Sequence, residues 1–116
     1  MKTSELKGQA LDWAVAKCEG VENTWGKSSM IPYDYFTGHR YSTDWTQGGP
    51  IIERERVGLW PDIYGYFAEK NHFGKHHCAG RSTGWGTTPL IAAMRCYVTS
   101  KLGAEVEVPD ELKGEK

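Results

Sequence analysis

The chain carries no surplus of charge of either sign: 14 Lys and Arg stand against 15 Asp and Glu, for a formal net charge of −1. That excludes a protein that wraps duplex nucleic acid by displacing counterions, which needs a basic excess. Cysteine is scarce too. Cys18, Cys78 and Cys96 are odd in number and lack paired spacing, so reduced thiols are expected in place of a disulfide frame. No apolar run approaches membrane-spanning length, and the opening MKTSELKGQALDW is too polar for a secretory signal. A soluble, intracellular protein is the expectation. No internal repeat or low-complexity block is visible. Residues 1–116 read as one domain, long enough to bury roughly two-thirds of its unfolded surface, with 109–116 extended or frayed.

Rings and glycines stand out against these absences: 5 Trp and 6 Tyr accompany 14 Gly. Tyr and Trp offer wide, rigid contact surfaces at low entropic cost, which suits binding sites as well as cores.

The clearest structural signal is Thr87 to Gly103. Thr87 or Thr88 suits an N-cap and Pro89 the first helical position. Leu90, Ala93, Met94, Tyr97, Val98 and Leu102 recur at spacings of three and four, and Gly103 ends the run. An earlier stripe, Leu11, Ala14, Val15 and Cys18, predicts a first helix from about Gln9 that stops at Gly20, with Trp13 off the centre of its face. Between the two, Tyr41 to Pro50 (YSTDWTQGGP) reads as a polar loop closed by Gly48 and Gly49. IIERERV then alternates like a strand with a solvated charged middle. Trp60–Pro61–Asp62 reads as the turn into a second strand over Ile63 to Ala68. Glu69 to Gly86 reads as a long loop, and Val106 and Val108 suggest a short edge strand. The expected class is α+β, with two helices packed on one face of a small, mostly antiparallel sheet.

Candidate chemistry is thin. His72, His76, His77 and Cys78 form the only cluster suggestive of a metal, but zinc sites draw on two separated ligand pairs and no second pair exists. Neither a metal nor a cofactor is expected. Cys78 beside a histidine lacks an orienting third group, so no nucleophilic catalysis is expected. Glu53 and Glu55, interleaved with Arg54 and Arg56, read as a solvated face.

A ligand site is the stronger expectation. Arg81 and Trp85 lie just before the second helix, whose N-terminal N–H groups, with Thr87, suit an anion. Tyr41, Trp45, Trp85 and Tyr64 suit stacking on a base. Arg81 and Arg95 suit phosphates. Asp44 and Gln47 suit ribose or base edges, and Gly48 and Gly49 allow the main chain to approach closely.

Three blocks carry a family resemblance: SELKGQALDWAVAKCEG near the start, YSTDWTQGGPIIERE in the middle and TTPLIAAMRCYVTSKLGAEVEVPDEL at the end. In this order they resemble the NinX-like family of small tailed-phage proteins, whereas Gly58 to Gly86 matches poorly. The resemblance implies a phage protein acting in the host bacterial cytoplasm, and it carries no activity and no catalytic residues.

With the candidate site, it points to an accessory protein that sequesters a nucleotide-derived immune signal (a cyclic nucleotide or ADP-ribose type) without catalysis. A homo-oligomer with sites near subunit boundaries is expected. An inhibitor that blocks a host defence protein is the second reading, and a small enzyme degrading such a signal the third.

Overall fold

The computed structural model describes residues 2–20, 40–71 and 81–108, together with all side chains there except those of Asn71 and Arg81. The elements run as a 3₁₀ turn (Thr3–Glu5), α1 (Gly8–Glu19), α2 (Trp45–Glu55), β1 (Gly58–Asp62), β2 (Gly65–Asn71), β3 (Arg81–Gly86) and α3 (Pro89–Leu102). The strands form one antiparallel sheet in the order β1-β2-β3. The class is α+β, as the sequence implies, with α3 against the sheet and both α1 and α2 against α3.

α3 forms where its signals place it. The Thr88 hydroxyl accepts from the Ile91 N–H at 3.1 Å, Pro89 opens the helix, and the Gly103 N–H closes it on the Thr99 carbonyl. Leu90, Ala92, Ala93, Met94, Cys96, Tyr97 and Val98 are all buried along it. α1 likewise ends at Gly20, in the left-handed region at φ 81°, with its N–H turned back on the Ala16 and Lys17 carbonyls. Trp13 lies inside the core, with the Lys17 ammonium 5.4 Å from its ring centroid. Neither Thr3 nor Ser4 caps this helix. Thr3 donates instead to the Gly103 carbonyl at 2.7 Å, tying the start of the chain to the end of α3.

The middle of the chain departs from the sequence reading. The expected polar loop at Tyr41 to Pro50 and the expected strand at Ile51 to Val57 are together the approach to α2 and α2 itself. Alternation in IIERERV competes with a second pattern, Gly48, Ile51, Ile52 and Glu55, whose spacings of three and four put the inward side chains on one helical face. The Asp44 carboxylate accepts from the Thr46 N–H at 3.0 Å and starts the helix, which runs on through Pro50. Arg56, at φ 56°, ends it.

The hairpin is displaced for a related reason. Trp60 and Pro61 lie within β1 and are not a turn, because β1 is an edge strand where a residue without an N–H is accepted. The turn is Asp62–Gly65, where the Asp62 carboxylate accepts from the Ile63 N–H at 2.7 Å. Within the expected long loop, β2 reaches Asn71 and β3 begins at Arg81, and residues 72–80 lie outside the described residues. Val106 and Val108 are buried, and the expected edge strand reduces to a single bridge between Glu105 and Lys2.

The two faces of the sheet differ in kind. Residues paired across antiparallel strands share a face. Leu59, Ala68 and Gly84 form one inner row beneath α3. A Cβ on Gly84 would lie 2.5 Å from the Ala92 carbonyl oxygen and 2.6 Å from the Cys96 nitrogen, so the missing side chain lets helix and strand backbones touch. Trp60, Phe67 and Trp85 form the adjoining row on the opposite face.

Candidate functional site

The Tyr41–Thr43 turn, the first residue of α2 and the first turn of α3 enclose a hollow of about 240 Å³, lined by Ser42, Thr43, Trp45, Thr88, Pro89, Leu90 and Ile91. Several local devices build it. Asp44, as N-cap, aims the start of α2. Two hydrogen bonds from Thr46, hydroxyl before backbone, hold its carboxyl below the ordinary range. Gln47 accepts the Arg40 N–H at 2.9 Å and so fixes the preceding turn. Gly48 is buried against the Tyr41 carbonyl, and a Cβ there would also meet Leu90 Cδ2 at 2.6 Å. Only glycine lets the turn, α2 and α3 approach this closely.

Trp45 sits on the rim, 53 % exposed. Ser42 is a buried part of the same lining and gives its backbone N–H to the Asp12 carboxylate at 2.8 Å, while its hydroxyl makes no hydrogen bond among the described residues. The end of α3 offers few donors. Pro89 has none, and the Ile91 and Ala92 N–H groups go to the Thr88 side chain and carbonyl. No more than the Leu90 N–H remains. The hollow thus joins one flat ring, two hydroxyl side chains from the Tyr41–Thr43 turn and a weakly positive helix end.

The structure divides the residues singled out by sequence. Tyr41, Asp44, Trp45, Gln47, Gly48 and Gly49 stay together around this hollow, most of them supporting it from behind. Tyr41 is half-buried, and its burial, then the charges of Glu19 and Asp12, raise its hydroxyl pKa. Thr87 is exposed just before α3, but Thr88 is the residue that lines the hollow.

Trp85 belongs to the outer sheet face, where its indole N–H donates to the Asp62 carboxylate at 3.0 Å. Tyr64 is at the hairpin turn, 80 % exposed. Arg81 opens β3, its backbone paired with Asn71. Arg95 bonds two backbone carbonyls at 2.8 Å each, those of Leu6 and Trp85, and burial lowers its pKa. It is a tie between the chain start, β3 and α3, with those two contacts already made. His72, His76, His77 and Cys78 lie outside the described residues.

Two features escaped sequence reasoning. Trp60 and Phe67 join Trp85 in one row only in the actual register, with the first two ring centroids 6.2 Å apart. The other is an ionic cluster joining α1, α2, β2 and α3. Arg54 forks onto both Glu19 oxygens at 3.2 and 2.6 Å, and also reaches Glu55 at 2.9 Å and the Tyr97 hydroxyl at 3.1 Å. Lys70 completes it, 3.5 Å from Glu55. Burial pushes the Glu19 and Glu55 carboxyls up. Hydrogen bonds from Arg54 to both, and from Tyr97 to Glu19, outweigh it, so both lie below the usual value of 4.5. The expected solvated face at 53–56 is therefore half right: Glu53 and Arg56 are exposed, whereas Arg54 and Glu55 hold the helices together.

A family model described as bacteriophage P22 NinX matches residues 2–101. The chain belongs to the phage P22 NinX family. That match spans α1, α2, the whole sheet and nearly all of α3, including every residue of the hollow. No curated protein matches the chain. Among the described residues no helix is long and apolar enough to cross a membrane.

Proposed function

We propose that this phage protein is an accessory factor that holds a nucleotide-derived signalling molecule of the host and does not transform it. The observation that carries the reading is the hollow beside Trp45. A half-exposed indole on a concave rim suits a nucleobase, and stacking of this kind is worth about 1–3 kcal/mol per base. The Ser42 hydroxyl, which makes no hydrogen bond among the described residues, offers a polar contact to a base edge or ribose, and a buried hydroxyl gains from acquiring a partner. The α3 dipole favours a phosphate near Leu90.

Sites for drug-sized ligands span about 300–1,000 Å³, so a hollow of about 240 Å³ holds one base with part of its sugar. The rest of a cyclic dinucleotide or ADP-ribose would extend beyond it, towards a neighbouring subunit or solvent. Action in the host cytoplasm is part of the same proposal.

The test is calorimetry with the intact chain against cyclic mononucleotides, cyclic dinucleotides and ADP-ribose derivatives. The ligand recovered after denaturation is then analysed by mass. Binding with unchanged ligand is the expected result. No heat from any of these with folded protein refutes the reading, and recovery of a cleaved product refutes sequestration in favour of an enzyme. The second reading, an inhibitor of a host defence protein, draws on a different observation: Ile63 and Tyr64 project at the hairpin turn, 85 % and 80 % exposed. A stoichiometric host protein co-purifying from infected cells, lost on substitution of those two residues, favours it.

A further inference from the structure

The outer face of the sheet carries an inference independent of the nucleotide site. Trp60, Phe67 and Trp85 are paired residues of β1, β2 and β3, and they remain 49 %, 38 % and 40 % exposed. Their indoles lie down over glycines. A Cβ on Gly58 would meet the Trp60 ring at 2.9 Å, and one on Gly65 would meet the Trp85 ring at 2.9 Å. Laid against bare backbone, the rings form one exposed row, with Trp60 and Phe67 tilted 44° to each other. The adjoining turn adds Ile63 and Tyr64.

With about 150–250 Å² for each large ring, these five side chains leave on the order of 600 Å² uncovered. That is the upper end of what a monomer exposes in one patch, about 300–600 Å². It is also most of the roughly 800 Å² that each partner buries in a standard interface.

Charge and shape select the occupant. By register this face also holds Asp62, Glu69 and, at the far end of β3, Arg81, so it carries no basic excess and phosphate-bearing polymers are disfavoured. Asp62 is already bonded to the Trp85 indole and the Ile63 amide, and asks nothing of a partner. An apolar face with little net charge at its margin matches another like it. Face-to-face packing of two sheets, within about 30° of alignment, is the common solution for such faces.

We infer that the Trp60–Phe67–Trp85 face is the isologous interface of a homodimer, in which two sheets stack through their aromatic rows. A two-fold arrangement makes the same patch serve both copies.

The test is sedimentation equilibrium of the full chain from 1 to 200 µM, as wild type, Phe67→Glu and Ile63→Glu, with circular dichroism of each. The expected result is a wild-type dimer whose dissociation constant rises about 100-fold or more in Phe67→Glu and about tenfold in Ile63→Glu. Ile63 is almost wholly exposed, so its variant keeps the test valid even where Phe67→Glu fails to fold. A wild-type monomer over the whole range overturns the inference, whatever else covers the face. A dimer that both folded variants leave intact also overturns it, and assigns association to another surface such as a sheet edge.

Discussion

Trp45 and Trp85 are exposed to similar degrees, yet they occupy surfaces of opposite shape. Around Trp45 the chain is concave. A buried glycine draws a turn and two helices together, and the buried Ser42 lines the same hollow as the ring. Around Trp85 it is an open sheet face, where Gly58 and Gly65 let neighbouring indoles lie against the backbone. Glycine serves both regions by removing a Cβ, but with different results: at Gly48 it closes backbones around a space, and on the sheet it lays rings over one. The concave region suits a small planar guest and the open sheet face another protein surface, so changes in one should leave the other's behaviour intact.

The largest expected effect is at the hinge of the concave region. Gly48→Val should cost about 3 kcal/mol, the upper range for overpacking, because its side chain meets the Tyr41 carbonyl and Leu90 with no room to give. Urea denaturation measures it; a cost below about 1 kcal/mol would mean the hollow is loosely built.

Trp45→Ala comes next. It should weaken nucleotide binding by about 2 kcal/mol, or roughly 30-fold, by calorimetry, with the sedimentation behaviour unchanged. Arg54→Ala acts on the support shared by both regions and should cost about 1.5 kcal/mol, a modest figure because Arg54 is half-exposed.

That variant also carries a pH signature. Glu19 and Glu55 have folded pKa values below 4.5, so their contribution is complete above that value and is lost as pH falls through the folded values. Wild-type stability should therefore be level from pH 6 to 8 and decline below about pH 4.5. The decline should be shallower in Arg54→Ala. The smallest effect belongs to Trp60→Ala, on the exposed edge strand, which should change monomer stability by less than about 1 kcal/mol.

The helices at either end of the chain were legible in the sequence because their signals agree: cap, period and terminating glycine point the same way at Thr88, Leu90 to Leu102 and Gly103. The middle was not, for a physical reason. Residues 51–57 satisfy an alternating and a helical pattern at once, and Gly48, Gly49 and Pro50 argue locally for a loop. Tertiary burial of Gly48 and Ile51 against α3, together with the Asp44 cap, decides for the helix. Where the helix ends also sets where the hairpin falls, and with it the pairing that unites Trp60, Phe67 and Trp85.

Of the candidate site, the Tyr41 to Gly49 stretch and its proximity to the second helix's start were readable from polar, aromatic and glycine content. The use of Arg95 was not, since sequence cannot tell a guanidinium that awaits a phosphate from one that ties two carbonyls. Nor could sequence separate Trp85 from Trp45, because shape belongs to the fold.

The most direct test is a parallel calorimetric titration of whichever nucleotide binds wild type into Trp45→Ala and Phe67→Glu. The account predicts that the first loses roughly 30-fold in affinity and the second retains its nucleotide contact at Trp45 within about threefold. Full affinity in Trp45→Ala together with lost binding in Phe67→Glu would contradict it, and place the guest on the open sheet face.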